Sequence, residues 1–202
     1  MSPLCASMSA ALLLAAFVHV TYAQNIPAVS AHAAIGANAA IDAAGAISVN
    51  ETAGLDNAQA NQIALGMGAP SVGVAGSAQA ALARASTRSA TASIESSAFS
   101  NIAGAVLINQ SAGSANLQRN SVAVGTLGAG VEIASDRDLA EAASRQGGLR
   151  QWPEAHDMRQ ASISNSAFKN VSGIVQVNQT AGAGNATANS FVLRPPAGTL
   201  FN

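Results

Sequence analysis

Residues 163–194 read ISNSAFKNVSGIVQVNQTAGAGNATANSFVLR, and residues 94–125 read IESSAFSNIAGAVLINQSAGSANLQRNSVAVG. A third segment, residues 35–66, reads IGANAAIDAAGAISVNETAGLDNAQANQIALG and aligns with both without a gap. Several columns are identical in all three copies, among them Gly45/Gly104/Gly173, Asn50/Asn109/Asn178, Ala53/Ala112/Ala181, Gly54/Gly113/Gly182, Asn57/Asn116/Asn185 and Asn61/Asn120/Asn189. Gln110 and Gln179 stand where copy 1 has Glu51, and Phe99 and Phe168 where it has Ala40. That many ungapped matches make the segment a true 32-residue repeat, and internal repetition decides architecture before any local signal does.

Within each copy the apolar period is two. Val175 and Val177 share one face of a strand, as do Val106 with Ile108 and Ile47 with Val49. A further strand is expected from about Asn189, carrying Phe191 and Leu193, and another before the first glycine, containing Phe168. The paired glycines (Gly45, Gly104 and Gly173; Gly54, Gly113 and Gly182) are expected in turns, where glycine tolerates positive φ. Gly, Asn and β-branched residues together disfavour a helix. The expected fold is all-β: three β-arch or hairpin repeats stacked as a short β-solenoid or an amyloid-like cross-β array.

Around the repeats the chain divides further. Residues 1–23 resemble a signal peptide, with an apolar run from Ala10 to Val20 and Ala23 at the cleavage position, although no Lys or Arg precedes the run. Residues 67–93 form an Ala/Ser/Gly linker expected to be mobile. Residues 126–162 hold ten of the 19 charged residues, with a short helix expected over 136–146. Residues 195–202 are a tail.

Composition excludes several functions. Aromatic residues make up 3 % and charged residues 9 %, against about 25 % charge in an average domain. Net charge is −1 without a basic block, so nucleic acid is not an expected partner. The one cysteine, Cys5, lies in the leader, so no thiol chemistry is expected. Of three histidines only His156 has carboxylates beside it, Glu154 and Asp157, in a charged linker that reads as a solvated turn. No catalytic set, metal site or cofactor loop emerges, and the chain is expected not to be an enzyme.

Stacking gives the invariant amides a role. One 32-residue unit cannot bury its own apolar face, but stacked copies can. In-register layers place like residues about 4.7–4.8 Å apart, where each amide donates to one neighbour and accepts from the other. The columns expected to carry self-assembly are Asn50/Asn109/Asn178, Asn57/Asn116/Asn185, Asn61/Asn120/Asn189, Gln110/Gln179 and Phe99/Phe168. The competing reading leaves these amides on the solvent face of ordinary strands. Glu51 would bring like charges into register if chains stacked copy on copy, so copy 1 is expected to contribute least. Five Asn-x-Ser/Thr sequons, at Asn50, Asn109, Asn170, Asn178 and Asn185, read as by-products of the motif.

The run Ala-Phe-x-x-x-x-Gly-x-x-x-Val-Asn-Gln-x-Ala-Gly-x-x-Asn at Ala167–Asn185, repeated at Ala98–Asn116 with Ile108 for Val, resembles the repeats of the Fap functional amyloids of Gram-negative bacteria. The layout of leader, three imperfect repeats and two variable linkers is similar as well. The resemblance implies export through an outer-membrane pore, association with itself and with sibling repeat subunits, and assembly into extracellular biofilm fibrils. It departs in copy 1, which lacks the Phe and the Gln, and in the absence of the Cys-x-x-Cys that such subunits carry near their C-terminus. A monomeric β-solenoid adhesin and a minor nucleator or chaperone of fibrils are the alternatives.

Overall fold

A computed structural model of the chain describes residues 28–66, 79–81, 85–125 and 158–193. These residues form nine strands: β1 (Ala28–Ile35), β2 (Ala44–Leu55), β3 (Ala58–Gly66), β4 (Ser86–Ile94), β5 (Ala103–Ser114), β6 (Leu117–Gly125), β7 (Met158–Ile163), β8 (Ser172–Ala183) and β9 (Ala186–Leu193). Each repeat supplies three. They pair by rank rather than by neighbour, in three parallel sheets ordered β1-β4-β7, β2-β5-β8 and β3-β6-β9. Consecutive strands of one repeat therefore share no sheet. They are arches, with side chains rather than backbones meeting across the bend, and the hairpin alternative does not hold.

The pairing is in register. Asn50 lies beside Asn109 and Asn109 beside Asn178; Asn61, Asn120 and Asn189 follow the same rule. One sheet sits between the other two. Ile35 and Ile94, from the first sheet, pack against Val106 and Ile108 of the middle one, with Phe99 and Ile102 completing the cluster. Further along, Val29, Ala31, Ala33, Ala90 and Ala92 close against Ala112. The opposite face of the middle sheet meets the third sheet through amides. From Val106 to Ser114, β5 is buried on both faces. Parallel strands covered on both sides normally read as continuous apolar runs; here half of the inward positions are polar and satisfied by the ladders described below.

The structure departs from three sequence expectations. The repeating unit starts earlier than 35, 94 and 163, because β1, β4 and β7 lie ahead of those points, β4 and β7 largely inside the linkers drawn at 67–93 and 126–162. Their inward residues are mostly alanine, so the alternation visible in the burial of β1 carries little apolar contrast in the sequence. Phe99 and Phe168 are not in strands. They occupy the first bend of their repeats with φ of 56° and 58°, in a run where alternate residues, such as Ser97, Phe99 and Asn101, have positive φ. The six glycines are not in turns. They lie near the two ends of β2, β5 and β8 with φ between 107° and 141°. The signal peptide, the 136–146 helix, the bulk of both linkers and the tail fall outside the described residues.

Candidate functional site

The invariant glycines show how tightly the layers approach. A Cβ on Gly113 would overlap the carbonyl oxygen of Gly182, and one on Gly104 would overlap that of Gly45. A side chain there would force the layers apart, which accounts for identity in columns that no turn requires.

Between these glycines run the amides. Asn109 Nδ2 donates to Asn50 Oδ1 at 3.0 Å, and Asn178 Nδ2 to Asn109 Oδ1 at 2.9 Å. On the facing sheet Asn120 donates to Asn61 at 2.9 Å and Asn189 to Asn120 at 3.0 Å. The two columns are cross-linked: Asn61 donates to Asn50, Asn109 to Asn61, Asn120 to Asn109, Asn178 to Asn120 and Asn189 to Asn178, all at 2.9–3.0 Å. The result is a double ladder between sheets rather than a row on a solvent face. Asn109 and Asn120 are fully buried, a placement tolerable only because their polar atoms are bonded.

A second ladder closes the other bend. Asn116 Nδ2 reaches Asn57 Oδ1, and Asn185 Nδ2 reaches Asn116 Oδ1, both at 2.8 Å. The backbone N–H groups of Asn116 and Asn185 donate to the same oxygens. In the glutamine column, Gln179 Nε2 donates to Gln110 Oε1 and Gln110 Nε2 to Glu51 Oε2, both at 2.8 Å, while Glu51 Oε1 accepts from the Ala34 N–H. Glu51 therefore replaces a glutamine without loss inside the chain, because the first layer needs only to accept. Inside the chain it faces Gln110, not another Glu51. Phe99 and Phe168 stack with ring centroids 5.4 Å apart and planes 11° from parallel.

Two further columns escaped a search for identical residues. Asn101 donates to Asp42 at 2.8 Å and Asn170 to Asn101 at 2.9 Å, in the first bend. Gln59 and Gln118 bond at 2.7 Å, and Gln118 goes on to Thr180 Oγ1. Chemical similarity, Asp with Asn and Gln with Gln, is the signal that would have found them.

Chemically this arrangement stacks amide on amide and ring on ring. Among the described residues no group of three His, Cys, Asp or Glu could hold a metal ion, and no helix is long and apolar enough to cross a membrane. No solved structure matches the chain. The family model described as functional amyloid protein FapB/FapC matches residues 15–196, a span that takes in all nine strands and both linkers. The chain belongs to the functional amyloid protein FapB/FapC family.

Proposed function

We propose that this chain is a secreted structural subunit that self-assembles into extracellular amyloid-like fibrils of a bacterial biofilm matrix. Family membership gives the functional amyloid. The observation that carries the finer reading is the unfinished stack. Layers two and three each repeat the hydrogen bonding of the layer before, and both outer layers leave their ladders open. In layer three, Val175, Phe191 and Leu193 remain 36–43 % exposed. Uncovered layers of this kind recruit further strands. The described part of the repeats contains no proline and a single lysine, Lys169, so the usual protections of an edge are largely missing.

In this reading residues 1–23 direct export and are removed, an outer-membrane pore passes the chain outward, and the product has a mechanical rather than a catalytic role. The closest rival, a monomeric adhesin, would keep the same three layers but stop at three. Incubating the chain from Gln24 onward separates the two. Thioflavin-positive fibrils with a meridional reflection at about 4.7–4.8 Å support the subunit, and a chain that stays monomeric at high concentration for weeks supports the adhesin.

A further inference from the structure

The two ends of the stack are chemically opposite. Residues 28–66 carry three carboxylates, Asp42, Glu51 and Asp56, and no Lys or Arg; residues 158–193 carry Arg159 and Lys169 and no Asp or Glu. In the asparagine columns, in Gln110/Gln179 and in Asp42/Asn101/Asn170, each amide nitrogen donates to the preceding repeat. These ladders thus have a direction, while the Gln59/Gln118 column runs the other way, Gln59 Nε2 donating to Gln118 Oε1. At the end of layer three these columns finish on the side-chain oxygens of Asn170, Gln179, Asn185 and Asn189; at the start of layer one they begin with amides at Asn50, Asn57 and Asn61, but with carboxylates at Asp42 and Glu51.

The glycines mark the same two faces. A Cβ on Gly104 or Gly173 points into the previous repeat, and one on Gly54 or Gly113 into the next. At Gly45 the same direction leads out of the chain, where nothing lies within 4 Å. At Gly182 it leads to the Arg159 side chain, whose Cδ lies 3.1 Å from the Cβ position and whose guanidinium reaches the Thr87 carbonyl. Apolar exposure agrees. Every exposed large hydrophobic among the described residues belongs to repeat 1 or repeat 3; Ile63 and Phe191 are each 36 % exposed, while Val122 between them is 2 % exposed.

Resting on the fibril reading above, we infer that these ends are two halves of one heterologous seam between copies of this chain. Repeat 1 of each incoming copy seats on repeat 3 of the copy before it. An interface of unlike patches that does not close generates an open filament. The fibre then consists of neutral amide layers interrupted once per chain by an ionic joint. Asp42 arrives over Asn170 beside Lys169, and Arg159 moves off Gly182 as Gly54 of the incoming copy takes its place. With a net charge of −1, whole-chain repulsion is too small to mask attraction at this joint. Salt should therefore slow seeded elongation as the Debye length falls from about 30 Å at 0.01 M to about 3 Å at 1 M. In the Asp42→Asn, Glu51→Gln double variant that slope should flatten.

The deciding experiment places thiols across the seam in the chain from Gln24 onward, which has no other cysteine. Ala60 and Ala188 share one column. Inside a chain they are two layers, or about 9.5 Å, apart, beyond the roughly 7 Å limit for a disulfide. Across the seam they are adjacent. Fibrils of Ala60→Cys, Ala188→Cys grown reduced and then oxidised should yield a ladder of covalent multimers, and neither single variant should cross-link. Dimers from a single variant would mean that like ends meet, and fibrils without any cross-link would mean that the ends do not meet; either overturns the seam while leaving the fibril reading intact. Wild-type chain that never forms fibrils would overturn the fibril reading instead. Should the pair itself disturb assembly, Asn50→Asp gives a second readout: its carboxylate still accepts from Asn61 and Asn109 inside the chain but offers no hydrogen to the copy before it. It should keep the soluble chain's β-sheet spectrum and lose elongation from wild-type seeds at pH 7, and normal elongation would overturn the seam.

Discussion

Replacing Asn109 by aspartate keeps the shape of the side chain and reverses one half of its chemistry. The Nδ2 group lies 3.0 Å from Asn50 Oδ1, 2.9 Å from Asn61 Oδ1 and 2.9 Å from the Ala60 carbonyl. An ionised oxygen in that place would face three acceptors at 0 % exposure. The bonds accepted from Asn120 and Asn178 survive, so the loss is that of a buried charge without a partner on one side. Such a loss costs about 3–5 kcal/mol, a large share of the roughly 5–15 kcal/mol that holds a domain folded. Asn50→Asp is the matched control. Asn50 is exposed and accepts from Asn61 and Asn109, which a carboxylate does equally well, so the change should stay within about 0.5 kcal/mol.

The pH dependence has a definite sign. Burial among oxygens raises the folded pKa of an aspartate at position 109 above the unfolded value of about 3.9. Below that value both states are protonated and the charge penalty is absent. Destabilisation grows as pH rises towards the folded pKa and is complete above it. Urea denaturation of the soluble chain, followed by far-UV circular dichroism, should show a loss of several kcal/mol at pH 7 that mostly disappears at pH 3. Fibrillation of the variant should fail and recover in parallel. Equal stability of Asn109→Asp and Asn50→Asp at pH 7 would refute the buried ladder and return the asparagines to the solvent face.

Three further outcomes follow from the layer geometry. Gly113→Ala should abolish the stacked fold, since its Cβ overlaps the Gly182 carbonyl and its φ is 121°; a folded, fibril-forming variant in a denaturation scan would contradict the close approach. Phe99→Ala should cost about 3–5 kcal/mol, and Phe168→Ala clearly less, because Phe99 is 1 % exposed and Phe168 is half-buried in an outer layer; equal midpoint shifts would argue against unequal burial. Deleting 86–125 should stop fibrillation more completely than deleting either outer repeat, as its polar residues bond to both neighbours. Thioflavin kinetics that rank an outer repeat first would reverse the assigned layer order.

Much of this was legible in the sequence, for reasons particular to a stacked fold. Register follows directly from ungapped alignment, because parallel in-register pairing puts like residues side by side. That is why Asn50, Asn109 and Asn178 could be placed in one column before any strand was known. Conformation within a layer was less legible. Phe168 was expected in a strand before the first glycine, yet φ of 58° puts it in a bend, as φ of 56° does its counterpart Phe99, where the stacking of the two rings and their packing against the core outweigh the backbone strain. The glycines suggested turns by their tolerance of positive φ. They do adopt it, but inside strands, where closeness of the next layer is the added demand. Strands β1, β4 and β7 were missed because alanine packing on alanine gives almost no apolar contrast. Glu51 reads as repulsive only where one Glu51 faces another, and inside the chain its neighbour is Gln110.

The central claim is that layers come from successive repeats of one chain. Dipolar recoupling in solid-state NMR of fibrils tests it directly, with a carbonyl ¹³C label at Asn109. When one chain spans three layers, the nearest Asn109 of another chain lies three layers off, about 14 Å at 4.7–4.8 Å per layer, and labels at Asn109 alone should show almost no coupling. Labels at both Asn109 and Asn178, with labelled chains diluted in unlabelled ones, should show a strong coupling at about 4.8 Å. Strong coupling from Asn109 alone, lost on dilution, would mean that chains lie copy on copy and that the intramolecular stack is wrong.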